Sequence, residues 1–434
     1  MLDSQQVLAE QTPRQLLTPA SLSKLYVAAA ALDRFGPQHR FTTTLLTAGQ
    51  QSGSVLHGDV IVDGGGDPAM TTDHYWELVQ KLRARGIKRI DGRVVLSQYP
   101  YGPEPCVATD RCKARTASSN SYDALLSPVA VDYAAWCTQV MPTSPGQSAG
   151  FAGCFSEKPL LQVRGNVRTV AASQPTRLSA RRVTEGGADT LEVSGQVSVD
   201  DGPTEIYRSA SDPAMATTAT LRTLFAQNGI SVGKGFTVSN QMAAPNAREL
   251  ASVQSQPLQM ALMDMLNYSN NFMADTLTID LADAHPASLA SGTAALERFV
   301  DRVPGHGPLT LASGSGLTPA NRTSAHGLTA LLDYMYHRPE LFPTFMAGMQ
   351  TPSNGVAGHI RKGSDLFQDS VMVKTGTLNE PQPVRAVAGY FRGRSGRWGT
   401  FVVMVRGRTA ASYLNWSNVM QAVASDMTPI IASH

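Results

Sequence analysis

Between residues 19 and 36 the apolar positions Leu22, Leu25, Tyr26, Ala29, Ala30 and Leu32 recur at the spacing of one helix face, and Gly36-Pro37 ends the run. The pattern predicts an Ala-rich, buried helix that opens at Ser21. From Phe41 the chain turns β-branched and alternating, through Thr42, Thr43 and Thr44 and again over 59–63, until Gly64-Gly65-Gly66-Asp67-Pro68, which reads as a turn. An amphipathic helix is predicted over 76–85, stopped at Gly86, and a strand over 90–96. Repeated alternation over 160–199 predicts an antiparallel sheet. Helices return over 214–228, over 257–282 with an interruption around Tyr268 to Asn271, and over 288–300 and 323–336. The chain closes on strands at 371–374, 386–391 and 400–405 and a helix over 411–427.

The helical and mixed material lies at the two ends and the β-rich stretch between them, with no internal repeat, so one domain split by an insertion is expected. The 434 residues are about three times the commonest domain length, which leaves room for it. Only 16% of them are charged and 42% are apolar, the composition of a globular protein and not of a disordered chain or charged coil. Lys plus Arg is 36 against 34 for Asp plus Glu, too balanced for a nucleic-acid footprint. No apolar run approaches the length of a membrane span. No charged and then apolar leader opens the sequence, so for an exported protein the signal is expected to be absent from it.

All four cysteines, Cys106, Cys112, Cys137 and Cys154, fall in one short stretch. Two local disulfides, Cys106 with Cys112 and Cys137 with Cys154, are the favoured reading, because each pair closes a small loop, and they would imply an oxidising compartment. A zinc site is the weaker alternative, since there is no Cys-x-x-Cys, and four reduced buried thiols the blander one.

Ser21-Leu22-Ser23-Lys24 puts a hydroxyl and an amine one helical turn apart on one face, where a neutral lysine could take the serine proton. A second Ser-x-x-Lys at Ser231 and Lys234 contains Gly233 in a β-like stretch and shows how cheaply the motif arises. Two further elements raise the first copy. Ser269-Asn270-Asn271 interrupts a helical stretch, and Lys374-Thr375-Gly376 follows a strand. Ser-x-Asn recurs at Ser118 to Asn120, but the ordered triple is far rarer than its parts.

Ser-x-x-Lys, Ser-x-Asn and Lys-Thr-Gly in that order resemble the three signatures of the penicillin-binding protein and serine β-lactamase superfamily. More than half of the chain separates the first two motifs. That gap resembles the class C low-molecular-mass penicillin-binding proteins, the D-alanyl-D-alanine carboxypeptidases/endopeptidases. Leu17 to Ser21, Phe41 to Thr43, Gly58-Asp59, Gly64 to Pro68, Asn270 to Asp275 and Gly314-Ser315-Gly316-Leu317 extend the likeness. It implies an α/β (α+β) fold: a serine β-lactamase/transpeptidase-like domain, antiparallel sheet flanked by helices, split by a β-rich insertion of one or two domains. The expected division is 1–40 with 250–434 as the catalytic domain, 41–95 with 160–249 as the insertion, and 96–159 as a nested cysteine-containing subdomain.

By the same resemblance Ser21 would be the acylated nucleophile, Lys24 its base, and Ser269 a proton relay. Asn271 and Lys374 would shape the pocket and favour a neutral Lys24. Thr375 and Thr377 would bind the substrate carboxylate, Gly376 would let substrate approach, and the backbone N–H groups of Ser21 and Thr377 would form the oxyanion hole. Asp132 resembles an inserted-region aspartate that meets a substrate amine, although a solvated loop aspartate fits equally. No metal or organic cofactor is implied; the nine histidines show no ligand spacing. The partners would be peptidoglycan peptides and β-lactams in a periplasmic or extracytoplasmic setting, with homo-oligomerisation left open. Ser313 and Pro319 stand where the family has Asp and Arg around Gly-Ser-Gly-Leu, and Arg322 lies near enough in sequence to replace the latter. A β-lactamase or esterase with the same Ser/Lys site is the runner-up, disfavoured because no Glu-x-x-x-Asn element is present. A non-catalytic wall-binding scaffold is disfavoured by the intact motifs.

Overall fold

Helix α1, Ser23–Phe35, is buried without a break from Ser23 to Leu32, so it has no polar face and must be enclosed by other elements. Ala at four consecutive positions keeps it slim and Gly36, at φ 77, ends it by sending its N–H back to Leu32. The structure, a computed structural model, describes residues 1–101, 119–409 and 413–434. It divides into two compact units, Met1–Arg40 with Gln256–His434, and Phe41–Ser255.

The first unit sets α1 among helices that include α2 (Leu258–Asn267) and α3 (Asn271–Asp280). Its sheet is antiparallel in the order β1 (Val371–Leu378), β2 (Val384–Arg392), β3 (Trp398–Arg406). Helix α4, Trp416–Ser433, covers one sheet face: Val371, Val373, Val387 and Phe391 pack with Met420, Val423, Ala424 and Ile431. Each of the buried Val, Phe, Met and Ile side chains among them stabilises by about 1.5–3 kcal/mol. The apolar pattern placed the last helix at 411–427, whereas it starts at Trp416, because Asn415 caps it by accepting from the Ser417 N–H at 2.7 Å. β1 runs four residues past Lys374, which puts Lys374, Thr375, Gly376 and Thr377 inside an edge strand.

The second unit holds a five-stranded sheet whose middle strands, Val60–Asp63 and Val94–Ser97, run parallel. Helices Thr72–Ala84 and Pro213–Gln227 pack on it through Leu78, Val79, Leu82, Leu221, Leu224 and Phe225. The strand expected over 90–96 breaks at Gly92, where a Cβ would lie 2.2 Å from the Gly58 carbonyl oxygen. The run Gly64 to Asp67 is irregular backbone rather than a turn, which begins only at Pro68. Close approach explains its composition: a Cβ on Gly64 or Gly65 would lie 2.0 Å from the Pro128 or 2.1 Å from the Thr42 carbonyl oxygen.

The sheet expected over 160–199 is mixed, not antiparallel. Arg177–Glu185 and Ala188–Ser198 form a hairpin through Gly186-Gly187, both at positive φ. Gln162–Val170 pairs on the other edge of Ala188–Ser198 and runs parallel to it. Alternation reports which face a residue occupies; the order of connections sets the direction.

A disulfide joins Cys137 to Cys154; Cys106 and Cys112 lie outside the described residues. Replacing both Cys137 and Cys154 by Ser is expected to lower the unfolding free energy by about 3 kcal/mol, the closure entropy of a loop this short. Urea titration measures it, and an unshifted stability would show that the bond constrains nothing.

Candidate active site

The chain enters α1 through a 3-10 turn, Ala20–Leu22, with Ala20 forced to φ 49. Such a conformation costs a non-glycine residue about 1–3 kcal/mol and is kept where surrounding contacts require it. It sets Ser21 on the face that Lys24 occupies one turn later, with Lys24 Nζ 3.0 Å from Ser21 Oγ. Lys24 is fully buried. Its nitrogen also donates to Asn271 Oδ1 and to the Ser315 carbonyl, each at 2.7 Å. In its neutral form an amine has two N–H bonds and one lone pair, so a Lys24 that gave both N–H bonds to these carbonyl oxygens would turn its lone pair on the Ser21 hydroxyl.

Asn271 is aimed by a corner between two helices. Helix α2 ends at Asn267, Ser269 takes φ 53, and Asn270 caps α3 by accepting from the Met273 N–H at 3.0 Å. The two asparagines therefore divide the work, Asn270 to the backbone and Asn271 to Lys24. Ser269 faces a second amine: Lys374 Nζ donates to Ser269 Oγ at 3.0 Å and to the Thr375 carbonyl at 2.8 Å. Only 3% of Lys374 is exposed, and this burial pushes its pKa down to about 7. One corner of the chain thus meets both lysines, Asn271 accepting from Lys24 and Ser269, two residues before it, accepting from Lys374. Gly376 brings β1 against the entry to α1, since a Cβ there would lie 2.7 Å from the Pro19 carbonyl oxygen and 3.1 Å from the Ser21 nitrogen. Thr375 is half-buried and Thr377 exposed.

The loop over 312–322, known from the sequence only as part of a resemblance, supports Lys24 from behind. Asp275 on α3 accepts from the Ser315 N–H at 2.8 Å and so anchors the residue whose carbonyl meets the lysine. Gly316 is at φ 78, and a Cβ there would meet the Ala20 carbonyl oxygen at 1.9 Å. Ser313 Oγ accepts from the Gly316 N–H at 3.1 Å and meets Ser315 Oγ at 2.9 Å. Asn321 ties the loop to α1 through Ser23 Oγ at 2.9 Å. Arg322 turns back on its own loop, donating to Thr18 Oγ1 at 2.7 Å and to the carbonyls of Pro319 and Asn321.

Asp132 lies in the second unit. Its carboxylate accepts from the Thr72 N–H at 3.0 Å and the Thr72 hydroxyl at 2.6 Å, at the start of helix Thr72–Ala84, and burial raises its pKa. The other Ser-x-x-Lys has Ser231 on a short strand with its hydroxyl on the Lys88 carbonyl at 3.4 Å.

Among proteins of known kind, the chain is 26% identical over 418 residues to the D-alanyl-D-alanine carboxypeptidase DacB of Haemophilus influenzae, covering 94% of this chain and 84% of that one. It is 25% identical over 405 residues to a D-alanyl-D-alanine carboxypeptidase of Actinomadura sp. strain R39, with 88% and 72% covered. The crystal structure of penicillin binding protein 4 from H. influenzae superimposes with a TM-score of 0.80 at 21% identity, over 99% of this chain and 94% of that one. The mixed α/β architecture is that of the serine transpeptidase-like fold with added domains. The D-Ala-D-Ala carboxypeptidase 3 (S13) family model matches residues 1–427, nearly the whole length, and the chain belongs to that family.

Proposed function

We propose that this chain hydrolyses the D-alanyl-D-alanine bond of peptidoglycan stem peptides through an acyl-enzyme on Ser21. The contact that carries the reading is Ser21 Oγ to Lys24 Nζ at 3.0 Å, with the rest of that amine held by Asn271 and Ser315. Lys24 takes the Ser21 proton as Oγ attacks the carbonyl between the two D-alanines. The tetrahedral oxyanion faces the backbone N–H groups of Ser21 and Thr377, where one such donor is typically worth about 10²–10³ in rate. Ser269, held by Lys374, relays that proton from Lys24 to the departing amine, giving its own hydrogen and receiving the one Lys24 took, and water, deprotonated in turn by Lys24, then releases the acyl group from Ser21. The outer edge of β1 past Lys374, unpaired among the described residues, accepts the substrate as an added strand, and Gly376 keeps that edge close to Ser21. A free D-alanine as leaving group makes the reaction a carboxypeptidation; a cross-linked amine makes it an endopeptidation.

A β-lactam offers the same carbonyl but keeps its leaving amine tethered, so Ser21 should stay acylated. The Cys137–Cys154 disulfide supports an oxidising, extracytoplasmic setting. No helix among the described residues is long and apolar enough to cross a membrane.

The wild-type protein tests this. After incubation with penicillin and trypsin digestion, the drug's mass is expected on the peptide spanning residues 15–24, at Ser21 rather than the buried Ser23, and to persist for many minutes. D-Alanine should appear from a stem pentapeptide. No adduct would sink the reading, and rapid release of opened drug would favour the β-lactamase. Soluble cross-linked dimers measure the endopeptidase share.

A further inference from the structure

Lys24 donates to a backbone carbonyl, and a carbonyl points where its peptide is held. The peptide in question joins Ser315 to Gly316, and its two polar ends face opposite ways. The carbonyl takes Lys24 Nζ at 2.7 Å, and the N–H goes to Ser313 Oγ at 3.1 Å. Asp275 holds the preceding peptide, through the Ser315 N–H, and leaves rotation of the Ser315–Gly316 unit unchecked. Gly316, at φ 78, resists that rotation little, because glycine lacks the Cβ that narrows other residues. The Ser313 hydroxyl supplies the missing restraint.

Ser313 is itself a fixed point. It is fully buried, as is Asn321, whose side chain accepts from the Ser313 N–H at 3.3 Å and donates to the Ser313 carbonyl at 2.7 Å. The same Asn321 amide donates to Ser23 Oγ at 2.9 Å, on the first residue of α1. Gly314 then presses the loop between α1 and α3, since a Cβ there would lie 2.6 Å from Val27 Cγ2 and 1.9 Å from Thr278 Oγ1. Ser315 Oγ braces the acceptor from the other side, meeting Ser313 Oγ at 2.9 Å while it accepts from the Leu317 N–H at 3.2 Å. A hydroxyl held this way steers the carbonyl without placing a charge beside a buried amine.

We propose that Ser313 is a positioning residue for the general base: its hydroxyl holds the Ser315–Gly316 peptide so that the carbonyl takes one Lys24 N–H and the lone pair of the amine is turned to Ser21. The proposal rests on the reading that Lys24 deprotonates Ser21. Because Ser313 is buried and reaches the reaction only through Lys24, it should govern turnover and not substrate binding.

The experiment measures kcat and KM on an acyl-D-Ala-D-Ala peptide in wild type, Ser313→Ala, Ser313→Cys and Ser313→Thr, and counts competent sites in each as penicillin bound per chain after long incubation. Ser313→Ala should keep its full count of sites and a KM within about twofold, while kcat per site falls about 10- to 100-fold, a share of what a positioned base contributes. Ser313→Cys keeps the packing but offers a weak acceptor, so its kcat per site should fall about three- to tenfold. Ser313→Thr keeps the hydroxyl and should recover most of the rate. A merely structural role would lower the number of sites and leave kcat per site alone. That result, wild-type kcat per site in both Ser313→Ala and Ser313→Cys, or a Ser313→Thr as slow as Ser313→Ala, overturns the assignment. A wild type that binds no penicillin overturns instead the underlying reading of Ser21 and Lys24.

Discussion

Ser21→Ala is expected to abolish covalent penicillin labelling and to lower D-alanine release about 10⁴- to 10⁶-fold, the loss seen when a serine hydrolase forfeits its nucleophile. The fold should survive. The 3-10 turn has no side-chain cap for the substitution to remove, and Lys24 keeps Asn271 and Ser315 when the hydroxyl goes. An unchanged melting temperature beside absent labelling is therefore the expected pair of results. Ser269→Ala supplies the contrast. Its hydroxyl meets Lys374, and Ser21 remains in place, so that variant should still be labelled, but about 10²- to 10³-fold more slowly for want of a proton relay. Labelling that persists in Ser21→Ala and vanishes in Ser269→Ala would exchange the two roles.

What could be read in the sequence follows from where each partner sits. Ser21 and Lys24 are one helical turn apart, so spacing alone implied their contact. Asn271, Ser269 and Lys374 are distant in sequence and became legible only as an ordered set of motifs; that Asn271 reaches Lys24 while Asn270 caps a helix depends on how α2 and α3 turn at Ser269. The Ser315 carbonyl was invisible, because a backbone acceptor has no residue identity and its peptide is held through the Gly316 N–H on Ser313 Oγ. Trp416 was missed for another reason. The apolar run over 411–427 drew the helix start past the Asn415 cap, which hid the side chain that the first turn presents to Thr377. The parallel pairing of Gln162–Val170 was likewise beyond a pattern that distinguishes faces and not directions.

Lys374→Met is expected to make the protein more stable near pH 8 and much less active. Burial holds the folded-state pKa of Lys374 at about 7 against an ordinary value of 10.5. Between those two values the unfolded chain binds a proton that the folded chain refuses, so wild-type stability falls as pH drops from about 10.5 to 7 and levels off below. At pH 8 that penalty is about 3 kcal/mol. Methionine, of similar length, fills the space without it, and the two lost hydrogen bonds, to Ser269 and the Thr375 carbonyl, offset about 1–2 kcal/mol. The variant should therefore unfold at a higher urea midpoint than wild type at pH 7–8, with the advantage shrinking and then reversing as pH approaches 10.5. A difference independent of pH would show that Lys374 does not titrate in this range. Activity should move the other way, with kcat/KM down about 10²- to 10³-fold, because Ser269 loses the amine that orients it. A residue that destabilises its own fold at working pH and whose removal slows turnover this far is retained for chemistry, which is why these two measurements belong together.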